Sequence, residues 1–186
     1  GGQVALIDDN VLPMCITADK VARVAKLSVV TSIKAARRAK MYMDKTRKLT
    51  RVSNIESDTS FETPYKGKGV VVGVIDLGFQ YDHIAFKTKD KSSRVIAAWD
   101  LYNNNPQPFT TLPSGSDGDE DGAGHATHVT NIAAGSVVNG NSYYGMAPEA
   151  DIVMVPNDLS DDNIMKGAKF VKQTAEAAGK PWVLNL

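Results

Sequence analysis

A carboxylate and an imidazole, two groups that cooperate in proton transfer, lie at the ends of apolar segments of this chain. Asp76 ends the run GVVVGVID (residues 69–76), and His125 opens the segment HATHVTNIAAG (residues 125–135). A carboxylate that accepts a hydrogen bond from one ring nitrogen fixes the tautomer of an imidazole, so that the other nitrogen can activate a hydroxyl nucleophile. The pair therefore indicates acyl transfer by general-base catalysis, with a simple turn cap as the alternative for Asp76.

A zinc site is the rival interpretation of the histidine segment. His128 follows His125 by three residues, and two histidines at this spacing can share a zinc ion. Such a site needs a third protein ligand and usually a general base, and the glutamate of the HExxH motif is absent between the two histidines. The single cysteine, Cys15, can build neither a zinc site alone nor an internal disulfide. The sequence therefore favours the acid–base interpretation.

The apolar runs predict the elements that would position these two side chains. Strands are predicted at residues 69–76, 94–99, 151–155 and 182–186, because short apolar runs are typical of strands buried on both faces. Helices are predicted at residues 127–138, with His125 at the helix start, and 160–178, after a loop at 103–124. This alternation predicts an α/β fold with a mostly parallel sheet and flanking helices, in which catalytic groups gather beyond the carboxyl ends of the strands.

The beginning of the chain predicts a smaller unit. Strand composition occurs at residues 4–7, 11–17 and 29–35. Asp19 can cap a helix that ends at Leu27, and the polar, basic segment 37–63 is predicted to be extended. The predicted organisation is a small α+β unit at residues 1–50, a connector at 51–63 and the α/β domain at 64–186.

Charge is unevenly distributed, although the net charge is zero. Residues 19–51 contain eleven Lys or Arg and two acidic side chains, whereas residues 100–163 contain ten Asp or Glu and no Lys or Arg. The acidic block offers the basic block an intramolecular partner, and the basic residues are not interleaved with aromatic ones, so no nucleic-acid partner is predicted. The sequence contains no run of about 18 apolar residues, and no membrane-spanning helix is predicted.

Three segments resemble subtilisin-like serine proteases, the subtilases. GKGVVVGVIDLGFQYDHIAF (residues 67–86) resembles their aspartate segment, DGAGHATHVTNIAAG (121–135) resembles their histidine segment, and YGMAPEADIVMV (144–155) resembles the strand that follows. The segments occur in the family's order. The resemblance implies an incomplete subtilisin-like fold, with Asp76 as the orienting aspartate, His125 as the general base, and structural roles for His83 and His128.

The chain also departs from the family pattern. The G-T-S-M-A motif that carries the family's nucleophile does not occur, and Ala126 and Asn131 stand where the family has glycine. The resemblance thus implies the amino-terminal part of a serine endopeptidase that hydrolyses polypeptides, with the serine outside this chain and the fragment itself inactive. The alternatives are a non-catalytic pseudoprotease or binding module on the same scaffold and, less favoured, a metal-dependent hydrolase.

Further expectations concern partners, cofactors and location. Residues 1–50 resemble a subtilase pro-region, which implies docking of the chain's own pro-region. The family resemblance implies a secreted, periplasmic or cell-surface location. No organic cofactor is expected; the acidic residues 117–121 favour a solvated loop, with a structural calcium site as the alternative. An unpaired strand edge at residues 182–186 predicts self-association.

Overall fold

The structure, a computed structural model, describes residues 16–33, 43–57, 64–118, 120–138 and 143–186. The helices are α1 (Ala18–Val24), α2 (Met43–Leu49), α3 (Val52–Ser57), α4 (Glu120–Ala134) and α5 (Asp161–Ala177), with a 3-10 turn at Ile84–Phe86. The strands are β1 (Val71–Asp76), β2 (Gly78–Gln80), β3 (Val95–Ala98), β4 (Ser116–Gly118), β5 (Asp151–Pro156) and β6 (Trp182–Asn185). The chain divides into two units, Gly1–Met41 and Tyr42–Leu186.

Four of the strands form a parallel sheet in the second unit, in the order β3-β5-β1-β6. The register between β1 and β5 runs from Val71 opposite Asp151 to Asp76 opposite Pro156. Parallel strands bring their carboxyl ends to one edge, and Asp76 therefore lies at the edge where ligands collect in open α/β sheets. The predicted strands of the second unit are confirmed.

Both faces of the sheet are covered by helices, as the apolar strand composition predicts. Val72 and Val74 of β1 pack in a core that includes Ala126 of α4. The alternate residues Val71 and Ile75 pack in a second core with Val171 of α5. Full burial of such side chains stabilises the fold by about 1.5–3 kcal/mol each. The α/β class with a mostly parallel sheet and flanking helices is therefore confirmed.

Helix α4 begins earlier than the sequence predicts. It starts at Glu120 instead of Thr127, so that His125 lies in its second turn and not at its start. Asp and Gly around residues 117–124 favour a loop by local propensity, but tertiary contacts override propensity. One such contact joins α4 to β2, where Thr127 Oγ1 accepts a hydrogen bond from Gln80 N at 2.9 Å.

A two-stranded antiparallel ribbon accompanies the sheet and was not predicted. β2 pairs with β4, and Gly78 lies opposite Gly118. Gly118 has a φ of +87°, and a Cβ there would lie 2.4 Å from Leu77 O. This position therefore requires glycine on two counts.

Residues 37–63 are not extended over their described part. Helices α2 and α3 occupy Met43–Leu49 and Val52–Ser57, and residues 58–63 lie outside the described part of the chain. The turn between the helices places Arg51 at a φ of +60°. The predicted extended segment was wrong here, because the contacts that stabilise these short helices come from residues far along the sequence.

In the first unit, the structure describes residues 16–33. The predicted helix is present as α1, although none of its residues is buried. No strand occurs over the described residues 29–33, and Val29 is 84% exposed, so this part of the predicted strand was wrong. Strand propensity depends on packing against neighbours, which an exposed valine lacks. The strands predicted at 4–7 and 11–17 fall largely outside the described residues.

Candidate active site

Asp76 is the last residue of the central strand β1, and its side chain is only 13% exposed. One carboxylate oxygen, Oδ1, accepts a hydrogen bond from Leu77 N at 2.7 Å. The other, Oδ2, lies 3.0 Å from Nδ1 of His125. The Asp76 carboxylate therefore has a defined orientation. Strand β1 fixes its backbone, and each of its two oxygens has a partner.

His125 reaches this carboxylate from α4, the helix that covers the same face of the sheet. Its side chain is 68% exposed, far more than that of Asp76. An ionised carboxylate only accepts hydrogen bonds, so in this contact the proton lies on Nδ1 of the neutral ring. The tautomer leaves Nε2 as the proton acceptor, and the pair can perform general-base chemistry.

The other two histidines line a cavity of about 430 Å³ between α4 and the β2–β4 ribbon. His83 accepts a hydrogen bond from Ala85 N through Nδ1 at 3.2 Å, which caps the 3-10 turn and agrees with a structural role. His128 lines the cavity and is exposed, although the sequence predicts a packed or hydrogen-bonded side chain. The structure therefore pairs Asp76 with His125 and leaves His83 and His128 outside that contact.

Two metal expectations concern neighbouring residues. Among the described side chains, no three of His, Cys, Asp or Glu are grouped as a metal site would require. The second expectation concerns residues 117–121, for which the sequence favours a solvated loop over a calcium site. Their acidic side chains lie outside the described part of the structure, so the choice between loop and calcium site stays a prediction.

The residues that replace family glycines have different environments. Ala126, next to His125, is fully buried in the core between α4 and the sheet. Asn131 lines the cavity beside His128. Glycine is retained at Gly145, where a Cβ would lie 2.2 Å from Gly135 N. Helix α4 thus accepts the methyl group of Ala126 and the side-chain amide of Asn131. Glycine is kept at position 145, where a Cβ would clash with the backbone at the end of this helix.

Sequence reasoning missed Arg94, which supports the far end of α4. Its guanidinium is buried and donates hydrogen bonds to Ala134 O and Ala85 O, to Ala150 O at 2.6 Å, and to Ser136 Oγ at 2.9 Å. Burial lowers the pKa of Arg94 to about 10, and nearby acidic groups raise it only in part. The sequence feature that could have identified Arg94 is its position directly before a buried strand, where a charged side chain needs partners.

Comparison with known proteins gives a consistent result. Residues 67–181, more than half of the chain, match the subtilase family. The chain is 30% identical over 90 residues to thermitase of Thermoactinomyces vulgaris, covering 48% of this chain and 26% of the relative. It is 27% identical over 141 residues to bacillopeptidase F of Bacillus subtilis (strain 168), covering 70% of this chain and 9% of the relative. The chain therefore spans about a quarter or less of these relatives' lengths.

A solved structure, the CspB protease of Clostridium perfringens, is similar in fold. The TM-score is 0.61 at 25% sequence identity, over 77% of this chain and 32% of the other. Of the helices in the described ranges, none is both long and apolar enough to cross a membrane. The family match, the order of the aspartate and histidine segments, and the fold agree: this chain belongs to the subtilase family.

Proposed function

We propose that this chain is part of a subtilisin-like serine endopeptidase in which Asp76 orients His125 and His125 is the general base. The observation that carries the proposal is the 3.0 Å contact between Asp76 Oδ2 and His125 Nδ1. The nucleophilic serine lies outside these 186 residues, because no G-T-S-M-A segment occurs in them. The fragment by itself is therefore inactive toward peptides.

The proposed reaction cleaves a peptide bond in two steps. Nε2 of His125 takes the proton of the serine hydroxyl as its oxygen attacks the scissile carbonyl carbon, and Asp76 stabilises the imidazolium that forms. The imidazolium then gives this proton to the leaving amine, which departs and leaves an acyl-enzyme. Water, deprotonated by the same imidazole, hydrolyses the ester and restores the serine. The substrate class is polypeptide.

The relatives support a proteolytic function and an extracellular location. A subtilase that matches this chain at 31% identity over 99 residues is named minor extracellular protease Vpr, from Bacillus subtilis (strain 168). We propose that the parent protein acts outside the cytoplasm, as a secreted, periplasmic or cell-surface protein. We propose that its pro-region is the first unit, residues 1–41, and that the Lys and Arg residues between positions 20 and 40 favour docking on the acidic residues 100–163. No organic cofactor takes part in the proposed reaction.

Labelling with a fluorophosphonate, which an activated serine attacks at phosphorus with loss of fluoride, tests the proposal. The longer protein that contains this chain is expected to be labelled, and the present chain alone is not. His125→Gln in the longer protein should lower labelling by about 10³-fold or more, because the serine loses its base.

His128→Gln is the matched control, since it changes an exposed histidine of the same helix outside the Asp76 contact. It should retain labelling within a few-fold. Equal labelling of the His125→Gln variant and the unmodified protein would contradict the proposed base. Absence of labelling and of peptide hydrolysis in the longer protein would instead favour the pseudoprotease alternative.

A further inference from the structure

Two short helices, α2 and α3, lie ahead of the segment that matches the subtilase family. That segment begins at residue 67, whereas α3 ends at Ser57. Both helices nevertheless belong to the unit Tyr42–Leu186, which also contains the parallel sheet. Helices of six or seven residues are unstable in isolation, so contacts with the rest of this unit must hold them in place.

Arg47 of α2 makes three such contacts among the described residues. Its guanidinium forms an ion pair with Glu56 of α3 and donates a hydrogen bond to Gly145 O. The same group lies 4.0 Å above the centre of the Tyr144 ring, within the range of a cation–π interaction. The Arg47 side chain is only 12% exposed. One side chain therefore joins both helices to residues nearly one hundred positions away.

Glu56 depends on this arrangement. Its side chain is 6% exposed, and Tyr144 Oη lies within 3.4 Å of Oε2. Its other oxygen, Oε1, is buried and has no hydrogen-bond partner among the described residues. A buried carboxylate without a cation is strongly unfavourable, so removal of Arg47 would leave Glu56 with an uncompensated charge.

The segment that Arg47 contacts also terminates α4. The amides of Gly145, Met146 and Ala147 donate hydrogen bonds to Gly135 O, Ile132 O and Ala133 O at 2.9, 3.0 and 2.9 Å. These bonds satisfy carbonyl groups at the end of α4, which otherwise lack partners within the helix. An interaction that holds residues 144–147 in place therefore also stabilises the carboxyl end of α4, the helix that carries His125.

We propose that the α2–α3 hairpin is an intramolecular clasp, closed by Arg47 and fastened to the segment that caps the carboxyl end of α4. The clasp belongs permanently to the protease-type unit. The boundary between this unit and the first one therefore lies before α2, and not at residue 50 or 63. Release of the first unit by proteolysis would leave the hairpin in place.

Hydrogen–deuterium exchange of the whole chain tests the clasp, with Arg47→Met compared with Lys48→Met. Lys48 is the exposed neighbour of Arg47 on α2, so its variant controls for loss of a basic residue. We expect Arg47→Met to raise exchange at least about tenfold both in residues 52–57 and at the amides of 145–147, because local opening no longer breaks the ion pair. Amides of β1 and β5 should be unaffected.

Arg47→Lys separates charge from shape. Lysine keeps the positive charge but lacks the planar group that contacts Glu56, Gly145 and Tyr144 together, so exchange should be intermediate. If Arg47→Met exchanged like Lys48→Met in both segments, the clasp would be refuted.

Tyr144→Leu keeps the proposal testable if Arg47→Met prevents folding. It removes the ring beneath the guanidinium and leaves the Arg47–Glu56 ion pair. We expect faster exchange in residues 52–57 as well as in 145–147, since the clasp joins the two segments. Faster exchange confined to 145–147 would overturn the proposal, because α2–α3 would then be held independently of that segment.

Discussion

Oδ2 of Asp76 lies 3.0 Å from Nδ1 of His125, although the two side chains differ greatly in solvent exposure. The Asp76 side chain is 13% exposed, whereas that of His125 is 68% exposed. Asp76 is fixed by β1 and by the hydrogen bond from Leu77 N. His125 extends from the second turn of α4 into a more open position. The buried partner thus determines the orientation of the exposed ring, and Nε2 lies on the side of the ring away from the carboxylate.

Asp76→Asn is expected to change the tautomer of His125. The amide can donate as well as accept, so the ring is no longer restricted to the form with the proton on Nδ1. Nitrogen NMR of the imidazole should show loss of the Nδ1–H form, and the activity of the longer protein should fall about 10⁴-fold. Asp82→Asn, which changes an exposed carboxyl, is the control. An unchanged tautomer in Asp76→Asn would contradict the assigned contact.

Arg94→Met is expected to destabilise the fold by about 3 kcal/mol. Methionine fills part of the volume but leaves Ala134 O, Ala150 O and Ser136 Oγ without this buried donor. Ala85 O keeps the hydrogen bond from Ser136 N, and each buried acceptor that is left unpaired costs about 1–3 kcal/mol before relaxation. Urea unfolding followed by circular dichroism measures the change. Lys89→Met, at an exposed position, should stay within about 0.5 kcal/mol. If the two variants were equally stable, the cost of burying the guanidinium would cancel its hydrogen bonds.

Asp158 is expected to make stability depend on pH in the acid range. Hydrogen bonds from Ser160 N, then Ser160 Oγ and Asn163, lower the pKa of this carboxyl below its ordinary value of 3.8. A carboxyl group whose pKa is lower in the folded than in the unfolded state stabilises the protein at pH values above its unfolded-state pKa. This stabilisation is lost as the pH falls through its folded-state pKa. The difference in melting temperature between the wild type and Asp158→Asn should therefore narrow below pH 3.8. A difference that stayed constant down to acid unfolding would contradict this linkage.

Strand β6 is expected to promote self-association of the chain. Within the described residues it lies at the end of the sheet and pairs only with β1, and Val183 is 56% exposed. Such an edge can pair with another chain, and a charged side chain on it prevents pairing. Light scattering should show oligomers of the wild type and a monomer for Val183→Lys. Val137→Lys, at an exposed valine outside the strands, should still associate; a monomeric wild type would contradict the prediction.

The sequence predicted those strands and helices whose apolar residues are buried along the whole element. The strands β1 and β5 and helix α5 follow from apolar runs and a 3.6-residue stripe, and these elements bring Asp76 to the edge of the sheet. The pairing of Asp76 with His125 was expected from the resemblance of residues 67–86 and 121–135 to the aspartate and histidine segments of subtilases, and not from either residue alone.

Contacts between distant residues account for what the sequence did not predict. The start of α4 at Glu120 and the β2–β4 ribbon involve Asp- and Gly-rich segments whose propensity favours a loop. Helices α2 and α3 depend on Arg47 and its partners around residue 145. No periodicity encodes such pairs, because each side chain alone resembles an ordinary surface residue.

Side chains alternate between the two faces of the sheet along β1, so the position of Asp76 in the strand determines whether it can contact His125. Even-numbered residues from Val72 to Asp76 turn toward α4, and odd-numbered residues turn toward α5. One residue inserted into this strand would leave its hydrophobicity nearly unchanged, yet it would rotate the carboxylate to the opposite side of the sheet, away from His125. Parity within a six-residue strand thus decides whether an acid and a base can meet.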